Sequence, residues 1–388
     1  MRSQLLSALL AGSLVGLFTA SPAASQKIKV GVVTHLSGPY AAPGIRFKQG
    51  VETYFHNYGN KVAGREIEVV YRDLAGTAPA RAKQLTEELI VQEGVSIVGG
   101  FYLSPEAVAA GPTLTEAKIP GVAFNAGSSL VNGSSPYFIR PTGSVPQVVS
   151  AQAQFAADQG KKNAYILVSD FSAGHEVQDA FKKYFTARGG RIIGEDRAPL
   201  NTVDYSPFIE RIAAANPDVI ELFVPNGAPS VAVTKALRAR GLLGKSDVMT
   251  IGWGWLDESN LYQYDDSIIG AYNAQIYSAS HEGTENKKFK DATKIKFPDI
   301  LPSYEAASTY DSMHVIAQMI ASQQGKTFDG PAAAQAVIGW SFEGARGTQS
   351  IEPGRAGRMN VFIERVIKQN GQLRLEPSYQ ARGVPSVP

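Results

Sequence analysis

Five histidines, His35, His56, His175, His281 and His314, are the first candidates for chemistry, and no two of them stand at a metal-ligand spacing. His175-Glu176 opens like the zinc-binding helix H-E-x-x-H, but the second histidine is missing, so it reads as a helix surface. No G-x-S-x-G elbow exposes a nucleophilic serine, because "AGSSL" and "NGSS" fail the spacing. A G-x-x-x-x-G-K-[ST] loop for nucleotide phosphates does not occur. "GWGWLD" (252–257) sets two glycines after an apolar run, yet a dinucleotide turn needs a third glycine and a bare backbone, which Trp253 and Trp255 obstruct. The absence of cysteine removes thiol catalysis, Cys-ligated metals and disulfides. These patterns imply no metal and no organic cofactor, although a catalytic triad can still be assembled from distant residues.

Six other segments share a different chemistry: "HLSGPYAAPG" (35–44), "GFYLSPE" (100–106), "NAGSSL" (125–130), "SDFSAGH" (169–175), "PNGAPS" (225–230) and "GWGWLDE" (252–258). All are rich in Gly, Ser, Pro and aromatics. Gly and Ser let backbone N–H groups and hydroxyls face a bound group, and helices starting just after them add the positive ends of their dipoles. The aromatics supply flat apolar walls. Such loops hold a small molecule.

The elements that must position these loops follow from periodicity. "IKVGVVT" (28–34), "REIEVVYRD" (65–73), "VSIVGG" (95–100) and "IPGVAF" (119–124) are short apolar runs, alternating with amphipathic segments near 44–58, 79–93 and 105–117. That alternation indicates βαβ units, hence a parallel sheet with helices on both faces. After "PYFIRPTGSVPQ" (136–147) the rhythm restarts, with strands at 163–170, 191–196, 217–224 and 247–252. The spacing further predicts helices over 285–297 and 303–324 and extended segments at 347–351 and 359–367. In open parallel sheets ligands bind beyond the carboxyl ends of the strands, and there the six segments lie.

The fold class expected is therefore α/β with two lobes, each a mainly parallel sheet flanked by helices, since so long a chain exceeds one core. The division expected is 26–141 plus 276–348 for the first lobe and 142–275 plus 349–388 for the second. Arg140–Gly143, Asn273–Tyr277 and Gly347–Ile351 are extended or Gly-bearing joints; three interlobe crossovers would form a hinge, ordinary loops being the alternative.

Residues 1–25, with Arg2, an apolar run from Leu5 to Phe18 and small residues from Ala20 to Ser25, have the layout of a cleaved signal peptide, ending after Ala24 or Ser25. The apolar run is short for a membrane anchor. With no cysteine at the cleavage site to carry a lipid, the expected location is the periplasm, free of lipid insertion. The net charge is +2 with scattered Lys and Arg, which gives no basic stripe for nucleic acid.

The order and spacing of "KIKVGVVTHLSGPYAAPGIRFKQGVE", "GREIEVVYRDLAGTAPARAKQLTEELI", "VSIVGGFYLSPEA", "IPGVAFNAGSS" and "DYSPFIERIAAANPDVI" carry a family resemblance over 27 to about 375. The chain resembles the extracytoplasmic solute-binding proteins of the branched-chain amino acid, amide and urea type, leucine-binding-like type I periplasmic binding proteins that serve ABC importers. The resemblance implies a two-lobed clamshell with three crossovers, solute held between the lobes, docking of the closed form on an ABC permease, and no catalysis. A monomer is expected, because the lobes must move.

Carried over by position, Ser104 and the turn Ala126-Gly127-Ser128 fall where the family grips a ligand carboxylate. Hydroxyls and backbone N–H groups suit that anion, which needs charge-assisted hydrogen bonds once desolvated. Phe171, Asn226, Trp253 and Trp255 fall where the opposing lobe closes, and Phe101 or Tyr102 would wall the site. Amino-acid-binding members place a carboxylate after the strand at 247–252 to hold the ligand ammonium. Here Trp253-Gly254-Trp255 stands there, with Asp257 and Glu258 just beyond and Asp170 as a substitute or a helix cap. Arg46, near Tyr40, could pair with a carboxylate or lie on a solvated helix face. Each aromatic has interlobe or core packing as its other role. The cleft thus suits a flat or bulky apolar group attached to an acid, an aromatic carboxylate beside leucine. One ring of ~150–250 Å² contributes roughly 4–6 kcal/mol before the costs of binding. An exported α/β hydrolase and a ligand-sensing regulator on the same clamshell are the alternatives from other classes.

Overall fold

A valine-rich run buried on nearly every residue becomes β1 (Ile28–Thr34), as befits a strand covered on both faces. The computed structural model describes residues 27–243 and 247–386, so the segment read as a signal peptide lies outside the described residues. After β1 come α1 (Ala41–Tyr58), β2 (Lys61–Val62), β3 (Arg65–Asp73), α2 (Pro79–Val91) and β4 (Ile97–Gly100). They are followed by α3 (Ser104–Ala117), β5 (Gly121–Ala123), α4 (Leu130–Ser134) and β6 (Phe138–Ile139). These strands form one sheet in the order β2-β3-β1-β4-β5-β6, parallel from β3 to β6.

The next stretch repeats the plan with α5 (Val145–Asp158), β7 (Asn163–Ser169), α6 (Ser172–Thr186), β8 (Arg191–Ala198) and α7 (Ser206–Ala215). It continues through β9 (Val219–Phe223), α8 (Ala228–Ala239), β10 (Met249–Trp253) and β11 (Tyr272–Gln275). The order β8-β7-β9-β10-β11 mirrors β3-β1-β4-β5-β6. In each unit the first strand lies between the second and the third, so successive connections leave in opposite directions and open a crevice at the carboxyl ends.

The remaining chain buttresses both units. α9 (Thr284–Lys296) and α10 (Tyr304–Ser322) pack on α1, and α11 (Gly330–Ala336) packs on α10. β12 (Ser341–Gly344), β13 (Gly347–Ile351), β14 (Gly357–Gln369) and β15 (Gln372–Val384) are antiparallel, and β14 joins the second sheet at β11. The expectation of two mainly parallel sheets flanked by helices is met. One apolar cluster runs through both units, taking in Val32 and Phe47 with Phe155 and Phe181.

Two buried ionic features lie where the units join. Asp311 of α10 and Arg346, both fully buried, pair at 2.7 Å. Asp311 also accepts from the Ala345 N–H at 2.7 Å and from Gln349 Nε2 at 2.6 Å, while Arg346 Nη2 donates to the Pro141 carbonyl at 3.4 Å. Glu364 of β14 accepts from Ser278 Oγ at 2.6 Å, and burial, reinforced by the nearby Glu258 and Asp257 charges, pushes its carboxyl up to about 8.

A pH dependence follows. The unfolded carboxyl titrates near ~4.3, so between there and about 8 the folded protein holds a proton that the unfolded chain lacks. Stability therefore falls as pH rises through this window, by at most ~1.4 kcal/mol per pH unit for one proton. Glu364→Gln is expected to flatten this slope by about one proton's worth. Thermal melts of both proteins from pH 5 to 8 read the difference, and parallel curves would rule the group out.

Candidate functional site

The turn after β4 shows how the chain reaches the crevice. Gly100 has φ +109°, and a Cβ there would stand 2.2 Å from the Val33 carbonyl oxygen. Phe101 follows with φ +64°, a costly conformation for a residue with a side chain. It is over-determined: the Phe101 N–H donates to the Val33 carbonyl at 2.9 Å, its carbonyl accepts from the Ala126 N–H at 3.1 Å, and its ring packs on Phe138. Buried Glu106, one turn into α3, accepts from the Leu103 N–H at 3.1 Å and faces His35 Nε2 at 3.1 Å. The turn is thereby fixed, and Tyr102, Leu103 and Ser104 point into the crevice.

A slot results between the two units. It is lined from the first by Tyr102, Leu103, Ser104, Asn125 and Gly127, and from the second by Phe171, Ala173, Phe223 to Asn226, Trp253 and Gly254, with Tyr304 at the start of α10. Phe171, Phe223 and Trp253 form a continuous stack, with ring centroids 5.7 and 5.5 Å apart and interplanar angles of 21° and 28°. Trp253 Cη2 lies 2.8 Å from the place a Cβ on Gly127 would occupy, so any side chain at 127 would hold the units apart. Among the described residues, no Asp, Glu, Lys or Arg lines the slot. Its volume is about 40 Å³, against the ~150 Å³ of a cavity that takes benzene, so a ring enters only if the walls part. A larger polar depression of about 810 Å³ lies elsewhere, along 278–283, 341–350 and 358–383, away from the strand ends that carry the predicted loops.

Tyr102 reaches across the slot, its hydroxyl donating to the Asn226 carbonyl at 3.1 Å. Asn226 Nδ2 donates to Glu305 Oε1 at 2.9 Å and its Oδ1 accepts from Asn260 at 2.7 Å. Burial, with the Asp257 charge adding to it, pushes buried Glu305 up to about 7. Ser104 Oγ accepts from the Ser128 N–H at 3.1 Å, which leaves the hydroxyl hydrogen of Ser104 free to donate.

Of the residues expected at the site, Tyr102, Ser104, Gly127, Phe171, Asn226 and Trp253 come together around the slot. Four others are placed elsewhere. Phe101 is turned into the core of the first unit by its left-handed backbone. Trp255 is fully buried in the second core, its Nε1 donating to the Tyr272 carbonyl at 3.1 Å. Ala126 is buried with Phe101.

Ser128, the fourth, meets the other unit. Its hydroxyl donates to Glu176 Oε1 of α6 at 2.5 Å, and Ser129 adds its N–H at 3.0 Å and its hydroxyl at 2.9 Å to the same carboxylate. Buried Arg140 lies close by, donating to the Gly127 carbonyl and to Asn132 Oδ1 at 2.8 Å; burial lowers its guanidinium to about 10.

The three alternative carboxylates are all engaged outside the slot. Asp257 is a buried cap, accepting from the Ser259 N–H at 2.9 Å and the Tyr304 N–H at 3.0 Å. Glu258 accepts from the Leu375 N–H at 2.9 Å, and Asp170 faces His175 at 2.6 Å in an exposed pair. Arg46 donates to Gln49 at 2.9 Å. Sequence reasoning missed Asn125, Phe223 and Tyr304. Phe223 is the last residue of β9, so the strand-end rule that selected the loops could have found it. Tyr304 starts a helix and carried no such signal.

The chain matches the family model described as Periplasmic binding protein over residues 27–372. It is 35% identical over 351 residues to Leu/Ile/Val-binding protein homolog 6 of Brucella melitensis, covering 90% of each chain. Among solved structures it resembles a solute-binding protein of an ABC transporter from Rhodopseudomonas palustris HaA2 in complex with p-hydroxybenzoic acid. That match has a TM-score of 0.89 and 35% identity, and covers 93% of this chain and 98% of the other. A second, from Rhodopseudomonas palustris BisB5 in complex with 3,4-dihydroxybenzoic acid, has a TM-score of 0.87 and 33% identity, with the same coverage. A leucine-binding protein from Thermotoga maritima, with a TM-score of 0.78, 22% identity and coverage of 90% and 97%, shares the fold.

Proposed function

Because the chain belongs to the periplasmic binding protein family, we propose that it is the solute-binding component of an ABC importer and that its solute is an aromatic carboxylate. One observation carries the choice of solute: the slot is walled by the Phe171–Phe223–Trp253 stack and lined by no acidic side chain. An amino acid would bring its ammonium into that wall without a carboxylate to receive it, a large desolvation cost. An aromatic acid buries its ring against the stack, while its carboxylate takes the free hydroxyl hydrogen of Ser104. The Rhodopseudomonas palustris relatives, bound to hydroxylated benzoic acids, support this reading. The Brucella relative's name favours Leu, Ile or Val instead, and the lack of an acidic lining residue weighs against that.

Solute settles first on one lobe, and closure adds contacts from the other; it favours the closed form only through contacts made there and not in the open form. The closed protein then docks on its permease. The protein works as a periplasmic monomer after signal cleavage and changes no covalent bond in its solute.

Thermal melts of refolded protein with benzoate, 4-hydroxybenzoate, phenylpropenoates, leucine, isoleucine, valine, phenylalanine, urea and short amides test this reading. A cognate acid at a hundred times its Kd should add ~2.7 kcal/mol of stability. Stabilisation by leucine and not by aromatic acids would overturn the choice of solute. Hydrolysis of an ester or amide probe would instead support the hydrolase alternative.

A further inference from the structure

We propose that the slot reads a hydroxyl group on the aromatic ring through Gln275 and Tyr304, a specificity contact that rests on the aromatic-acid reading above. Gln275 ends β11 and is 2% exposed. Its Oε1 accepts from the Ile276 N–H at 2.8 Å, which fixes the orientation of the amide and turns Nε2 away from that bond. Nε2 is a buried donor with no hydrogen-bond partner among the described residues. A buried amide donor left unmade is costly, and such groups call for an explanation.

The explanation lies beside Gly254. This residue lines the slot with φ +64°, and the point its Cβ would take lies 3.5 Å from Gln275 Nε2 and 3.4 Å from the Tyr304 hydroxyl oxygen. Tyr102 donates its hydrogen to the Asn226 carbonyl at 3.1 Å, so it has none to give Tyr304, whose hydroxyl oxygen stays able to accept. A donor and an acceptor thus converge on a point that glycine keeps clear. A neutral hydroxyl, which donates one hydrogen and accepts another, satisfies both. A methyl or bare ring carbon satisfies neither, and sites built around a hydroxyl discriminate strongly against analogues that lack it.

The test is calorimetric titration with benzoate and with 2-, 3- and 4-hydroxybenzoate. The native protein is expected to bind one monohydroxybenzoate at least ten times more tightly than benzoate. Gln275→Leu and Tyr304→Phe are each expected to lower that ratio about tenfold; any general effect on ring binding cancels in the ratio. Tyr304→Phe conserves the ring and serves if Gln275→Leu fails to fold. If benzoate and all three hydroxybenzoates bind equally, or if the preference survives both substitutions, this inference fails while the aromatic-acid reading stands. If no aromatic acid binds, both fail.

Discussion

Asp311→Ala is expected to lower the unfolding free energy by about 3–5 kcal/mol, the range for stripping one partner from a buried ion pair. The variant would leave Arg346 charged and fully buried, and would strand the Ala345 N–H and Gln349 Nε2 that Asp311 now receives. Replacing both charges, Asp311→Ala with Arg346→Met, should recover part of the loss, since no unpaired charge then remains. Denaturant titration of the three proteins reads the effect. A single-variant loss under ~1 kcal/mol would mean that water reaches Arg346 and that the pair is worth no more than a surface bridge. The network also joins α10 to the loop between β12 and β13 and, through Arg346, to Pro141.

Trp253→Ala is expected to weaken binding of an aromatic acid by roughly 30–150-fold, the ~2–3 kcal/mol of a central aromatic anchor. The indole continues the stack begun by Phe171 and Phe223 and also meets the backbone of Gly127 on the opposite unit. Its loss removes both a wall for the ring and a contact between the two units. Trp253→Phe keeps a flat face and should recover most of the affinity. Fluorescence or calorimetric titration of both variants decides the matter, and a change below threefold for Trp253→Ala would place the solute somewhere other than this slot.

Much of this arrangement was legible in the residues themselves. Continuous apolar runs marked β1, β4, β7, β9 and β10, the strand-end rule led from them to the loops, and the family resemblance singled out Ser104, Asn226 and Trp253 within those loops. Side-chain direction was harder to read. Phe101 and Trp255 stand beside true lining residues, but a left-handed backbone at Phe101, and one at Gly254 just before Trp255, turns each into a core. Spacing in an irregular turn carries no periodicity from which that rotation can be read. The 13-residue β15 also escaped notice, because "QLRLEPSYQARGV" pairs along β14 as an edge, mostly half-exposed or exposed, and lacks the apolar run that betrays an interior strand.

The serine turn and Glu176 bear on time as well as affinity. Two hydroxyls and an amide of Ser128 and Ser129 close on a carboxylate that belongs to the protein, whichever solute lies beside them. Were the two units to part and release a solute, those bonds would break in addition to the solute's own. The escape rate of a captured molecule would then be governed partly by a clasp it never touches, and poor and good solutes would share that part of the barrier. A transporter that pulls Glu176 away from the serines would shorten residence for all of them alike, without having to recognise any one.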